Sequence, residues 1–309
     1  ARAHILLYEQ GAMASLSGLT PAVMQGDEDG CLMPDEVERA LRPAPYYRVP
    51  VGVVSVEVTH NMAGGTLPER DKLDAIAAHA RDAGVPVHMD GARLFNAATA
   101  WDVPVAEIAD RADSVMFCLS KGLGAPVGSM LCGPHEFIER ALSVRKRFGG
   151  AMRQVGILAA AGLFALRHNV NRLQVDHDNA KKLAAGLNAI EGLSIDVERC
   201  PTNILYVDCE PEMGSRWVSH LATQGILINA LGPERPRFVT HMDITGEDID
   251  AVLATLTQEM RAAIADRKEA RRRHEEANPR QTKPRYDRDG NGPPRPNNRG
   301  RSDRGRRDG

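Results

Sequence analysis

The sequence predicts an α/β protein with a mostly parallel sheet in a large domain, followed by a smaller C-terminal α+β domain. Three observations carry this. From Val51 to Cys132, apolar runs of strand length alternate with stretches of helical spacing, the pattern of strands joined by helical crossovers. Beyond about residue 190, short apolar runs are interleaved with two further helical patterns. The chain has 309 residues, 42% of them hydrophobic, enough for one large core and a smaller one.

In order, Val51–Val58 reads as a strand, and Lys72–Ala83 as a helix closed by Gly84. Val85–Met89 is a second strand, Val105–Ala109 a short helix, Asp113–Cys118 a third strand and Gly128–Cys132 a fourth. Helical spacing then runs through Ile138–Val144, Val155–Leu166 and Val170–Ala189. The smaller domain is read as strands at Ser194–Val197, Ile204–Val207, Ile226–Asn229 and Arg237–Thr240, with helices at Ser215–Thr223 and Glu247–Ile264. The expected boundaries are 1–168 for the large domain, 169–266 for the small one and 267–309 for a tail. From Arg267 onward Pro, Gly, Arg, Asn and Asp dominate, so the tail is expected to be disordered for want of apolar surface to bury.

Charge divides at the same point. Residues 267–309 hold fifteen Lys or Arg against seven Asp or Glu, a net of +8, so the total of −2 leaves −10 for residues 1–266. An acidic body argues against nucleic acid as a partner, except through the tail. No apolar run reaches membrane-spanning length, and no signal-like segment opens the chain. The five cysteines are scattered and odd in number, without C-x-x-C pairs, which suggests a cytoplasmic protein with neither disulfides nor a metal site.

Chemistry in parallel sheets gathers just past the C-terminal strand ends. Three consecutive strand ends supply distinctive groups. Lys121 lies in Leu119-Ser120-Lys121-Gly122-Leu123-Gly124, where small neighbours let another group approach; it suits a Schiff base, or is simply a solvated loop lysine. Asp90, in His88-Met89-Asp90-Gly91-Ala92-Arg93, can pair with a protonated pyridine nitrogen, or cap the following helix. His60, in Thr59-His60-Asn61, brings an imidazole able to move protons near neutrality, or a solvated loop residue. Together His, Asp and Lys are the set that amino-acid chemistry on pyridoxal 5′-phosphate requires.

These motifs, with His4-Ile5-Leu6-Leu7-Tyr8-Glu9, Ser114–Leu123 and Gly149-Gly150-Ala151-Met152-Arg153-Gln154, resemble the low-specificity L-threonine aldolases, in order from His4 to about Leu256. The resemblance implies a fold-type I pyridoxal-phosphate enzyme that cleaves L-threonine, L-allo-threonine and related β-hydroxy amino acids to glycine and an aldehyde. It implies a homo-oligomer, dimer or tetramer, with shared active sites. Lys121 would be the Schiff-base lysine, Asp90 the partner of the pyridine nitrogen and His4 the ring stacked on the cofactor. Arg93 and Arg237 would meet the substrate carboxylate, His60 would lie near its β-hydroxyl, and Tyr8 would line the pocket. Arg153 is a further cofactor candidate and Lys146 a further substrate candidate, although Arg145-Lys146-Arg147 also reads as a solvated helix face.

Two departures from the family stand out. Val58 replaces an Asn between the Glu and the Thr that precede the histidine. The family's N-terminal segment, with its phosphate-binding turn, would lie upstream of Ala1, so the sequence is expected to be truncated and to show little or no threonine cleavage by itself. The rival readings are another fold-type I reaction (transamination, β-elimination or racemisation) and an inactive fragment whose Arg/Gly tail binds RNA or a protein partner.

Overall fold

In the computed structural model, residues 1–210, 213–232 and 234–277 are described. Residues 1–260 form one compact unit, and a second begins at Arg261. The first unit opens with two single-turn helices, α1 (His4–Leu7) and α2 (Ala12–Ser15), then α3 (Pro34–Leu41). Next come β1 (Val54–Glu57), α4 (Arg70–Asp82), β2 (Val87–Asp90), α5 (Leu94–Trp101), α6 (Val105–Ala109), β3 (Ser114–Cys118) and β4 (Ser129–Cys132). Helices α7 (His135–Arg147), α8 (Gly156–His168) and α9 (Leu173–Asn188) follow. Strand β5 (Ile204–Tyr206), α10 (Met213–Thr223), β6 (Asn229–Ala230), β7 (Pro236–Val239) and α11 (Gly246–Ala277) complete the order.

The first sheet runs β1-β2-β3-β4, with the first three strands parallel and β4 antiparallel at the edge. Alternation buries Val54 and Val56 of β1 and Val87 and Met89 of β2 in one core with Ile76, Leu94 and Ile108 from the covering helices. Helix α4 turns Leu73, Ile76, Ala77 and Ala80 inward and stops at Gly84, whose φ of +65° only glycine adopts without strain. Val58, which departs from the family's Asn, is fully buried in this core and donates its N–H to the Asp90 carbonyl at 2.8 Å.

The second sheet is antiparallel, β5-β7-β6. The strand expected at Ser194–Val197 reduces to one bridge, Ser194 with Asp208, because the Asp196 side chain accepts the Glu198 N–H and turns the chain into a 3-10 turn, Val197–Arg199. The strand expected at Ile226–Asn229 is displaced to Asn229–Ala230, since Gly225 (φ +77°) and the Ile226 N–H to the Leu221 carbonyl finish α10 first.

The boundary expected at 168/169 separates two sheets inside one compact unit. Buried polar contacts tie the two parts: Asn96 of α5 donates to His177 of α9 at 3.1 Å, and Thr202 Oγ1 donates to the Gly65 carbonyl at 2.7 Å. Order also runs past the expected start of the tail, for residues 267–277 are helical. Ion pairs one turn apart, Arg271 with Glu275 and Arg273 with Glu269, support that helix at about 0.3–0.5 kcal/mol each. The rest of the expected tail lies outside the described residues. Among the described residues no helix is long and apolar enough to cross a membrane.

Candidate active site

The parallel register aligns the strand ends and so determines what can meet there. Glu57, the last residue of β1, lies opposite Asp90, the last of β2, and Asp90 lies opposite Met116 of β3. Past these ends come His60, Arg93 and Lys121 in turn.

Asp90 Oδ1 accepts the Ala92 N–H at 3.1 Å, and its other oxygen carries no hydrogen bond among the described residues. Lys121 is half-buried just past β3, with no hydrogen bond or ion pair to its ammonium among the described residues. The small neighbour Gly122 is needed for packing, because a Cβ there would lie 2.9 Å from Leu173.

Two guanidiniums share the site. Arg93 and Arg237 each bury an Nε that has no hydrogen-bond partner. Burial, then the nearby Arg237, push the Arg93 pKa down to about 10, against weaker opposing pulls from Cys118, Tyr206 and Glu57. Arg237 Nη2 donates to Asn61 Oδ1 at 2.8 Å, and neither arginine has a carboxylate in salt-bridge contact among the described residues. Two neighbouring cations, each with a buried and unpaired Nε, are suited to receive an anion, because an unpaired buried donor is costly.

His60 is 2% exposed and caps the 3-10 turn Asn61–Ala63. Its Nδ1 accepts the Ala63 N–H at 3.2 Å, and burial lowers its pKa to about 4. The ring is therefore neutral at physiological pH, with its proton on Nε2. Gly30 seals one side of it: with φ +82°, a Cβ there would fall 2.2 Å from the imidazole.

His4 starts α1, its ring stacked on Tyr8 at 5.1 Å and its Nε2 3.0 Å from Glu9 Oε1. The Tyr8 hydroxyl donates to Met62 Sδ at 3.1 Å, next to Asn61. Lys146, on α7, and Arg153, in the following turn, are exposed, and among the described residues their side chains make no hydrogen bond or ion pair that would tie them to the strand-end residues.

Sequence reasoning missed two participants. Glu57 was visible as the final polar residue of an alternating strand, but its partners lie on two separate segments. Tyr206 pairs in register with Arg237 and donates its hydroxyl to the Asn61 carbonyl at 3.2 Å. No local signal announced it.

The donor set suits pyridoxal 5′-phosphate: an unpaired lysine, a carboxylate with a free oxygen, a stacking imidazole and orphaned guanidinium donors.

The chain matches the beta-eliminating lyase family over residues 1–210. It is 40% identical over 264 residues to low-specificity L-threonine aldolase 1 of Arabidopsis thaliana, covering 83% of this chain and 73% of that protein. Against the low specificity L-threonine aldolase of Escherichia coli K12 it is 40% identical over 252 residues, covering 82% and 73%. Among solved structures, the threonine aldolase of Leishmania major superposes with a TM-score of 0.69 at 20% identity, covering 84% of this chain and 75% of that one. A serine palmitoyltransferase of Sphingomonas wittichii gives 0.60 at 18% identity over 74% of this chain and 59% of that one, a likeness of fold alone. A fold-type I sheet arrangement, the family match over residues 1–210 and the identity to these relatives place the chain in the low-specificity L-threonine aldolase family, within the beta-eliminating lyases.

Proposed function

We propose that this protein is a pyridoxal 5′-phosphate-dependent lyase that cleaves L-threonine, L-allo-threonine and related β-hydroxy amino acids to glycine and an aldehyde. The observation that carries this reading is the pair of guanidiniums, Arg93 just past the Asp90 strand and Arg237 of β7, which lie close enough to interact and whose buried Nε atoms lack partners. An amino-acid carboxylate is the anion that this fork-like pair accepts. The cofactor, when bound, supplies an electron sink for the pair left on Cα when the Cα–Cβ bond breaks.

The chain's own groups do the rest. Lys121 would hold the cofactor through its amine, Asp90 would pair with the cofactor's ring nitrogen, and His4 would contribute its imidazole to the cofactor pocket. His60 is neutral and its Nδ1 is occupied, so it acts from Nε2 as a donor that orients a water at the β-hydroxyl. Because Nδ1 is already occupied by the Ala63 N–H, that water would relay the β-hydroxyl proton to bulk solvent as the aldehyde C=O forms and the Cα–Cβ bond breaks. Tyr8 lines the pocket, and Lys146 and Arg153 remain candidates on the family resemblance alone. The reading extends to a large lobe to residue 168 with a small lobe after it, and to a cytoplasmic homo-oligomer. Five free cysteines support the compartment, and apolar side chains exposed on β4, α7 and α8 support the assembly.

Borohydride reduction in the presence of pyridoxal phosphate, followed by peptide mapping, tests the assignment. The adduct is expected on Lys121, with acetaldehyde released from L-threonine in a coupled dehydrogenase assay. An adduct on another lysine that persists in Lys121→Ala would overturn it.

A further inference from the structure

Glu57 is a buried-side carboxylate without a cationic partner among the described residues, and the proposed reaction gives it no step. It ends β1, after Val54 and Val56 have turned into the core. Its two oxygens reach two separate segments. Oε2 accepts the His4 N–H at 2.7 Å, across 53 residues of chain, and Oε1 accepts the Asn61 N–H at 2.8 Å. His4 is the first residue of α1 and Asn61 the first of a 3-10 turn, so one carboxylate caps two helical starts, where N–H groups lack partners and negative charge is favoured.

The location is costly for a carboxylate. Burial pushes its pKa up, the two N–H bonds oppose that, and Asp90, its register partner on β2, adds like-charge repulsion. Nothing about the strand requires an acid here, for Ser55 occupies the same face two residues earlier. What a carboxylate does, and an amide cannot, is accept at both oxygens.

Asn61 passes the constraint on. Its Oδ1 is the hydrogen-bond acceptor for the Arg237 fork, and its carbonyl accepts from Tyr206. Arg237 Nε is unpaired, so the aim of that guanidinium is set by Asn61 together with Tyr206, which itself donates to the Asn61 carbonyl.

We infer that Glu57 is a positioning residue: by holding the His4 and Asn61 amides on one carboxylate, it sets His4 and Arg237 at a common geometry on two sides of the site. The meaning of those two groups rests on the proposed function, whereas the clamp itself does not.

Amide hydrogen exchange of the ligand-free full chain separates the two. In Glu57→Gln, exchange in segments 1–8 and 58–64 is expected to accelerate about tenfold or more, while β2 and β3 keep their protection. The KM for L-threonine should rise more than kcat falls, and Asn61→Ala should reproduce the KM effect without releasing the His4 segment. Glu57→Asp, one methylene too short to span both donors, should free one segment and serves if the Gln variant does not fold. Unchanged exchange in both segments, or acceleration spread equally through the sheet, would overturn the inference. Clamp protection in the wild-type chain together with a borohydride adduct on a lysine other than Lys121 would refute the proposed function and leave the clamp standing.

Discussion

Acid should unfold this protein through two buried histidines, and the effect can be isolated at His177. His177 is 1% exposed, its Nε2 accepts from Asn96 Nδ2, and burial is the first cause lowering its pKa from 6.5 to about 4. His60 shows the same shift with a backbone N–H on Nδ1. A histidine whose folded pKa is depressed contributes nothing adverse above 6.5, and its stability is lost as pH falls from 6.5 toward 4. A shift of that size corresponds to about 3 kcal/mol per histidine when complete, and to about 2 kcal/mol at pH 5. Two such groups remove about 4 kcal/mol by pH 5, a large part of a typical domain stability of about 5–15 kcal/mol. Glu57 and Asp176 act oppositely, because burial raises their pKa and protonation relieves them, but their effect enters closer to the carboxylate range. Urea unfolding at pH 7.5, 6.0 and 5.0 should show the loss, and His177→Gln should lose only about half as much whatever its stability at pH 7.5. Parallel pH dependences in variant and wild type would refute the reasoning.

Three further outcomes follow from particular contacts. Arg237→Ala should lower kcat/KM for L-threonine by about 10- to 150-fold, the equivalent of one charge-assisted contact at about 1.5–3 kcal/mol, with Arg237→Lys in between; steady-state kinetics on the two variants checks this. Gly30→Ala places a Cβ 2.2 Å from the His60 ring at a left-handed backbone, so it should cost at least about 1 kcal/mol, a melting-temperature fall of about 2 °C or more. Arg199→Ala removes pairs with Glu28 and Asp29 that are more than a third exposed, and calorimetry should find a loss of less than about 1 kcal/mol.

The strand-end residues were legible because their information is local. Asp90, His60 and Lys121 each follow an apolar run, and a parallel sheet must deliver such positions to one edge. The state of His60 was not legible: sequence offers a histidine near pKa 6.5, and only the Ala63 amide and the burial beneath Gly30 make it a neutral donor. Arg153 and Lys146 show the converse: the resemblance offers both as candidates, Lys146 also reading as part of a solvated helix face, while their side chains are exposed and make no hydrogen bond or ion pair among the described residues.

By itself, then, the sequence determined the order of elements, the parallel core and the set of reactive side chains, since periodicity and strand-end position depend on near neighbours along the chain. Tertiary structure decided the antiparallel turn of β4, the loss of the strand at Ser194–Val197, the pairing of Arg93 with Arg237 and the reach of Glu57 to His4 and Asn61. Each of these depends on which distant segments share a register or a burial site. Hydrogen bonds across 53 or 176 residues leave no periodic trace in the chain that makes them.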